Sequence, residues 1–331
     1  VKHLSHRYMV LKTQTEWSGL SMDKILLIGG NGYIGSKLYP HLNSLDYEVD
    51  VVDTCWFDEC TENTIVKDYR DLSEKFLSNY GIIILLAGHS SVKMSEGDLT
   101  SCFSNNVTNF INLLSNINNS QKLIYASSSS VYGSVGGKTV TENYYGFKPY
   151  NEYDISKHVI DLYAEKSDVE FYGLRFGTVN GHAPVTRNDV MINAMTSNAL
   201  EGGEIRLYIK NIMRPILGIN DLCRAIERII ECKEDKRGLY NIASFNKTAE
   251  QIAYEVSDVL GVKVVEYETD PTQITNTKNQ TKCYDFSIST RKFCREFKFK
   301  FQETVESITL SILNNYKNIK ITDRSKHFEY K

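Results

Sequence analysis

The sequence predicts an α/β fold: a doubly wound parallel sheet with helices on both faces, followed by a smaller C-terminal α/β domain. Three observations lead there. Short, continuously apolar runs such as residues 24–28 and 81–86 have the character of parallel strands buried on both faces. Up to about residue 175 these runs alternate with stretches of helical periodicity, the order of β-α-β units. Finally, Gly29, Gly32 and Gly35 stand between the first apolar run and the first helical stretch.

Taken in order, residues 24–28 form a strand, and a helix follows the glycines to about residue 45. A second strand, 47–52, ends at Asp53, and a third, 81–86, ends at Ala87-Gly88. Apolar spacing predicts a helix over 103–117, a strand over 122–126 before a run of serines, a helix over 153–164 and a strand over 169–174. The alternation then loosens. Helices are expected over 189–200, 221–231, 249–260 and 303–314, and strands over 204–209 and 238–242; residues 270–282 are polar and read as a loop. The expected organisation is an extension over 1–21 before Met22, a first domain over 22–177, a second mostly over 178–317 with segments returning to the first, and a charged, fraying tail over 318–331.

Composition excludes several classes. Apolar residues make up 41% and charged residues 24% of 331, ordinary for a globular protein. A net charge of −3 gives no field for nucleic acid or an anionic membrane. No apolar run approaches the ~18 residues that span a bilayer, and residues 1–21 lack the apolar core and cleavage site of a signal peptide. Seven cysteines (Cys55, Cys60, Cys102, Cys223, Cys232, Cys283, Cys294) are an odd number without C-x-x-C spacing. That argues against a disulfide framework and a metal site, and for reduced thiols in a cytoplasmic protein.

The glycine turn has a specific chemistry. One glycine permits the sharp turn, one lets backbone approach a pyrophosphate, and one lets helix and strand pack closely, while the helix N-terminus offers N–H groups to phosphate. Asp53, closing the second strand, is placed to bind a ribose 2′-hydroxyl. Thr54, Cys55 and Trp56 follow it with no cation for a 2′-phosphate, so NAD is expected rather than NADP. Tyr153 and Lys157 lie one helical turn apart. A phenol is a poor base at neutral pH, and a nearby ammonium favours its ionised form. Upstream, the hydroxyl cluster 127–130 falls at a strand's C-terminal end, where ligands bind in such sheets.

On these residues the chain, from Met22 to about Ile312, resembles the extended short-chain dehydrogenase/reductase family, in its NAD-dependent sugar epimerase/dehydratase branch. The resemblance implies a Rossmann-type NAD-binding domain and a C-terminal substrate domain. It adds Tyr33 and Ile34 of the turn, Asp68 and Tyr69 beside the adenine, Leu86, Ala87 and Gly88, the helix residue Asn106, and Phe176 to the cofactor site. It makes Ser128 the catalytic hydroxyl beside Tyr153 and Lys157. It places Ser90, Ser91, Ser128, Ser129, Thr178 (where many members carry Asn), Arg187, Asn193 and the diphosphate-gripping Arg214 around the substrate. Gly218 stands where the family usually has His.

The activity implied is hydride transfer at a carbon of a nucleoside-diphosphate sugar, C4 first, ending in epimerisation. Net oxidation or 4-ketoreduction is the alternative, and an NAD-sensing regulator without catalysis is the rival from another class. A 4,6-dehydratase is disfavoured, because the Asp-Glu pair that eliminates water in such enzymes is Ser129-Ser130 here, with Glu142 the nearest acid. The resemblance also implies a homodimer through the helices near 101–117 and 151–165, with Phe110, Leu113, Leu114, Ile160 and Tyr163 as candidate contacts. No metal, nucleic-acid or membrane partner is expected.

Overall fold

A computed structural model describes residues 24–56, 60–95, 99–268, 284–318 and 320–321. The expected extension before Met22 and the 270–282 loop lie outside them. Among the described residues the central sheet has seven strands, all parallel: β1 (Ile25–Ile28), β2 (Val49–Asp53), β3 (Thr64–Val66), β4 (Ile82–Leu85), β5 (Lys122–Ser128), β6 (Glu170–Phe176) and β7 (Gly238–Ile242). Their order is β3-β2-β1-β4-β5-β6-β7, so the winding reverses between β1 and β4, the switch point where such sheets bind ligands. The continuous apolar runs are explained by two cores. Side chains alternate along each strand: Ile25, Leu27, Ile82 and Ile84 pack on one face with Leu38 of helix α1 (Gly35–Asn43). Leu26, Ile28, Ile83 and Leu85 pack on the other with Val107, Phe110 and Ile160.

The chain leaves the sheet after β6. A three-stranded sheet (Thr178–Asn180, Met213–Gly218, Phe245–Thr248) and the parallel pair Glu204–Leu207 and Lys263–Glu266 lie beyond it. There Ile192, Ile205, Ile252 and Ile308 belong to a separate apolar cluster. Residues 219–231 and 291–297 return to the first core. No helix among the described residues is long and apolar enough to cross a membrane.

Several expectations are corrected. Cys55 and Cys60 are joined as a disulfide with their Cα atoms 5.6 Å apart. A left-handed turn at Cys55 (φ 58°) is a feature that neither the odd count nor the spacing announces. Cys102, Cys223, Cys232 and Cys294 form no disulfide, and Cys283 lies outside the described residues. Within the expected tail, Lys320–Ile321 pairs in parallel with Val185–Thr186, while residues 322–331 lie outside the described residues. The helix expected over 103–117 comprises Leu99–Phe103, a π-helical turn Ser104–Thr108, and α2 (Asn109–Asn116). Of the residues proposed for a dimer face, Phe110, Leu113 and Ile160 are buried against their own sheet and Leu114 packs on the same core. Tyr163 is exposed, together with Phe103, Ile155 and Leu162.

Candidate active site

Two adjoining cavities open along the carboxyl ends of the strands. The first is lined by the 29–35 turn after β1, by Asp53, Cys55 and Trp56 after β2, by Asp68 and Tyr69 after β3, and by Leu86, Ala87 and Gly88 after β4. Gly29 has φ +86°, a conformation other residues rarely adopt. A Cβ on Gly35 would collide with the Gly29 carbonyl at 2.3 Å, whereas one on Gly32 would meet no protein atom nearer than 3.4 Å. Gly32 is therefore not demanded by packing, and its bare backbone leaves room for a phosphate. Helix α1 opens there with no side-chain cap and no acid in its first turn, an N-terminus left for an anion. Asp53 accepts from the Asn31 N–H (2.9 Å) and the Cys55 N–H (2.8 Å), which ties it to the glycine turn. Burial raises its pKa, and these N–H groups pull it back. Each carboxylate oxygen keeps a lone pair for a ribose hydroxyl. The residues present fit a dinucleotide.

The second cavity is lined by Ser90, Ser91, Ser128, Ser129, Tyr153, Lys157, Phe176, Thr178, Arg187 and Arg214. Arg187 and Ser90 border both cavities. Two predicted residues do not line either. Asn106 is buried and spans the loop after β4, its Oδ1 accepting from the His89 N–H at 2.8 Å and its Nδ2 donating to the His89 carbonyl at 3.1 Å and the Ser156 hydroxyl at 3.0 Å. The π-helical turn carries it, together with Asn105, whose Nδ2 meets His89 Nδ1 at 3.2 Å. Asn193 is fully buried, donating to the Arg187 carbonyl at 2.8 Å and accepting from the Gly181 N–H at 2.9 Å. It holds the Arg187 backbone from behind. Ser129 reaches the cavity, but its hydroxyl donates to the Phe176 carbonyl at 2.7 Å.

The reacting groups come from β5 and helix α3 (Glu152–Lys166). Ser128 ends β5 and caps a 3-10 turn, accepting from the Ser130 N–H at 3.2 Å, with the two hydroxyls 2.7 Å apart. Asn151 caps α3 by accepting from the Asp154 N–H at 3.0 Å, and Glu152 and Asp154 in the first turn oppose Lys166 in the last; both suit the helix dipole. This start sets Tyr153 with Ser128 and Lys157 in the lining of the second cavity. Lys157 lines the same cavity one helical turn after Tyr153. Its ammonium donates to the Ala126 carbonyl at 2.8 Å and stands 5.8 Å from the Tyr153 ring centroid. Burial pushes the Tyr153 phenol up to about 12, opposed by the Ser128 hydrogen bond and the Arg187 charge. Burial pushes Lys157 down to about 8.

Behind the serines, the Arg175 Nε donates to Asp161 at 2.8 Å and its Nη1 to the Tyr132 hydroxyl at 3.0 Å. Glu142, the nearest acid downstream in sequence, accepts from the Asn241 N–H at 2.9 Å and does not line the cavity. Arg214 donates to the Thr178 hydroxyl at 3.3 Å and lies with its guanidinium 5.6 Å from the Tyr284 ring centroid. Gly218, where a histidine is usual, is explained by Glu303: a Cβ at 218 would meet its carboxylate at 2.0 Å. That carboxylate accepts from the Asn220 N–H at 2.8 Å. His89 and Tyr284, which sequence reasoning missed, also line the second cavity. His89 directly follows the Ala87-Gly88 strand end, the one signal that pointed to it.

Known proteins resemble this chain in sequence and in fold. Protein CapI of Staphylococcus aureus is 29% identical over 233 residues, 63% of this chain and 69% of that protein. The ADP-L-glycero-D-manno-heptose-6-epimerase of Brachyspira hyodysenteriae is 26% identical over 75% of this chain and 84% of its own length. Among solved structures, TunA, described as an NAD dependent NDP-hexosamine 5,6-dehydratase of tunicamycin biosynthesis, superposes with a TM-score of 0.77 at 19% identity, covering 90% of this chain and 99% of TunA. MoeE5 in complex with UDP-glucuronic acid and NAD gives 0.75 at 19% identity over 89% and 99%. Residues 25–243 match the family described as NAD dependent epimerase/dehydratase. The chain belongs to that family, and it is an NAD-dependent enzyme of the nucleotide-sugar epimerase/dehydratase kind.

Proposed function

We propose that this enzyme acts at C4 of a nucleoside-diphosphate hexose and epimerises it, with net oxidation or reduction at the same carbon as the alternative outcome. The observation that carries this is the Ser128–Tyr153 pair opening into a cavity that continues to Arg214. NAD, when bound, would supply the hydride acceptor and donor. The Gly32 backbone and the α1 N-terminus would hold its diphosphate, Asp53 would accept from the ribose hydroxyls, and Lys157 would hold the nicotinamide ribose. Tyr153 takes the sugar hydroxyl proton while Ser128 donates to the same oxygen. Arg214, with Thr178, grips the substrate diphosphate, and Arg187 with Ser90 and Ser91 faces the sugar. In this reading residues 22–177 serve mainly the cofactor and 178–317 mainly the substrate.

Dehydration is disfavoured by the lining. Among the described residues around the second cavity there is no Asp or Glu, and elimination needs a base and an acid there. The UDP-glucose 4-epimerase of Lactobacillus helveticus, 28% identical over 54% of this chain, is in keeping with C4 chemistry. Incubation with UDP-, dTDP- and ADP-hexoses, followed by isomer-resolving chromatography coupled to mass spectrometry and by absorbance in the NADH band, tests the proposal. An epimer of unchanged mass is expected, and a product lighter by one water would sink it.

A further inference from the structure

The glycine turn is tied to the far side of the second cavity. Tyr33, inside the 29–35 turn, is almost wholly buried and lines both cavities. Its hydroxyl donates to the carbonyl of Gly181, 148 residues away, at 2.7 Å. A second tie lies beside the first. The Ser36 hydroxyl donates to the Tyr33 carbonyl at 3.2 Å and accepts from the Val185 N–H at 3.3 Å. Asn193 closes the set. Its Oδ1 accepts from the Gly181 N–H at 2.9 Å, and its Nδ2 donates to the Arg187 carbonyl at 2.8 Å and lies 3.3 Å from both the Tyr33 hydroxyl and the Gly181 carbonyl. Gly181 has φ +123°, and a Cβ there would meet Ile219 at 2.9 Å, so this bend needs glycine. Tyr33, Ala183 and Ile219 pack together around it. The Arg187 side chain is held separately: its guanidinium donates to the Asp189 carboxylate at 2.7 and 2.9 Å and to the Ser90 carbonyl at 3.3 Å.

We propose that Tyr33 is a positioning residue for the 181–187 segment, ordering the Arg187 backbone when the cofactor site fills. A diphosphate held by the turn and the α1 N-terminus would fix the backbone that carries the Tyr33 and Ser36 ties. Residues 181–187 would then lose freedom before any second ligand arrives, and that ligand has less ordering left to do. Arg187 borders both cavities, so it is the group through which this ordering reaches the second one. The consequence for substrate rests on the reading of Arg187 as sugar-facing: a nucleoside-diphosphate hexose should bind the NAD-loaded chain more tightly than the stripped one. By linkage the hexose nucleotide should tighten NAD by the same factor.

Residues 180–186 line neither cavity, so an effect of cofactor on them has to travel through their ties. The test follows amide hydrogen exchange of the full chain, stripped of cofactor and then saturated with NAD. In the wild type, NAD should slow exchange at Gly181 and Val185 at least about 5-fold. In Tyr33→Phe, which keeps the ring and removes the tie, the Gly181 ratio should fall below about 2-fold. Ser36→Ala should abolish the Val185 response while Gly181 still responds. A merely structural Tyr33 makes a different forecast: Tyr33→Phe would speed exchange equally with and without NAD, leaving the ratio intact. That result, a wild-type segment indifferent to saturating NAD, or a full Val185 response in Ser36→Ala overturns the proposal. UDP-, dTDP- and ADP-glucose are then titrated by calorimetry in Tyr153→Phe, where turnover is blocked. Saturating NAD should tighten one of them roughly 5–10-fold, and adding Tyr33→Phe should cancel most of that gain. If exchange responds through Tyr33 but NAD tightens none of the three, the positioning role stands and the reading of Arg187 as sugar-facing falls.

Discussion

Tyr153 holds its proton more tightly than a free phenol, because the pocket that excludes water also penalises the phenolate. Removing only its hydroxyl tests its role. Tyr153→Phe should leave NAD affinity within a factor of two while turnover falls about 10²–10⁴-fold; stopped-flow and cofactor titration read the two separately. Lys157 gives a prediction about stability. Its folded pKa, about 8, lies below the ordinary 10.5, so between these values the unfolded chain binds the extra proton. Stability through Lys157 therefore rises as pH climbs from 8 to 10.5. Protein stripped of cofactor should gain up to about 3 kcal/mol over Lys157→Met across that window in urea melts; a difference that stays flat would refute the shift. Asp53→Ala should weaken NAD more than NADP and so relax the preference, which titration of both cofactors will show.

The elements around the site are held by buried polar groups that the sequence does not advertise. Arg175 on β6 and Asp161 on α3 form an ion pair with almost no exposure, and Asp161 also accepts from the Tyr125 hydroxyl on β5 at 2.9 Å. Breaking it by Arg175→Met strands a buried carboxylate and should cost about 3–5 kcal/mol in urea unfolding. Asp161→Asn,Arg175→Met together should cost less than the sum of the single changes. What was legible in the sequence is what local pattern encodes: β1, β4 and β5 as apolar runs, the glycine turn, and Tyr153 and Lys157 one turn apart. What was not legible depends on partners far along the chain. Asp154 meets Tyr284 130 residues away. Gly218 is set by Glu303. Asn106 and Asn193 match the expected pattern, yet neither lines a cavity: their amides hold the His89 and Arg187 backbones in place. The strand Met213–Gly218 contains Pro215, which argues against a strand when only the sequence is read.

At the scale of the whole molecule, Phe103, Ile155, Leu162 and Tyr163 remain exposed on the helices that flank the catalytic pair. We propose that they form the homodimer face, in place of the buried Phe110, Leu113 and Ile160. Light scattering at micromolar concentration should give twice the 37.8 kDa chain mass, and Leu162→Glu with Tyr163→Glu should return it to one; a monomeric wild type would refute the assignment. The central claim is that the two cavities together carry out reversible hydride chemistry at C4 of a nucleotide-linked hexose. It is tested most directly by incubating the NAD-loaded full chain with a panel of nucleoside-diphosphate hexoses. NADH-band absorbance, product mass and isomer-resolving chromatography are recorded side by side, with Tyr153→Phe as control. The account predicts an isomer of unchanged mass, or a 4-keto product lighter by two hydrogens, formed by the wild type and lost in the variant. A 4-keto-6-deoxy product lighter by one water, or turnover that survives in Tyr153→Phe, would contradict it.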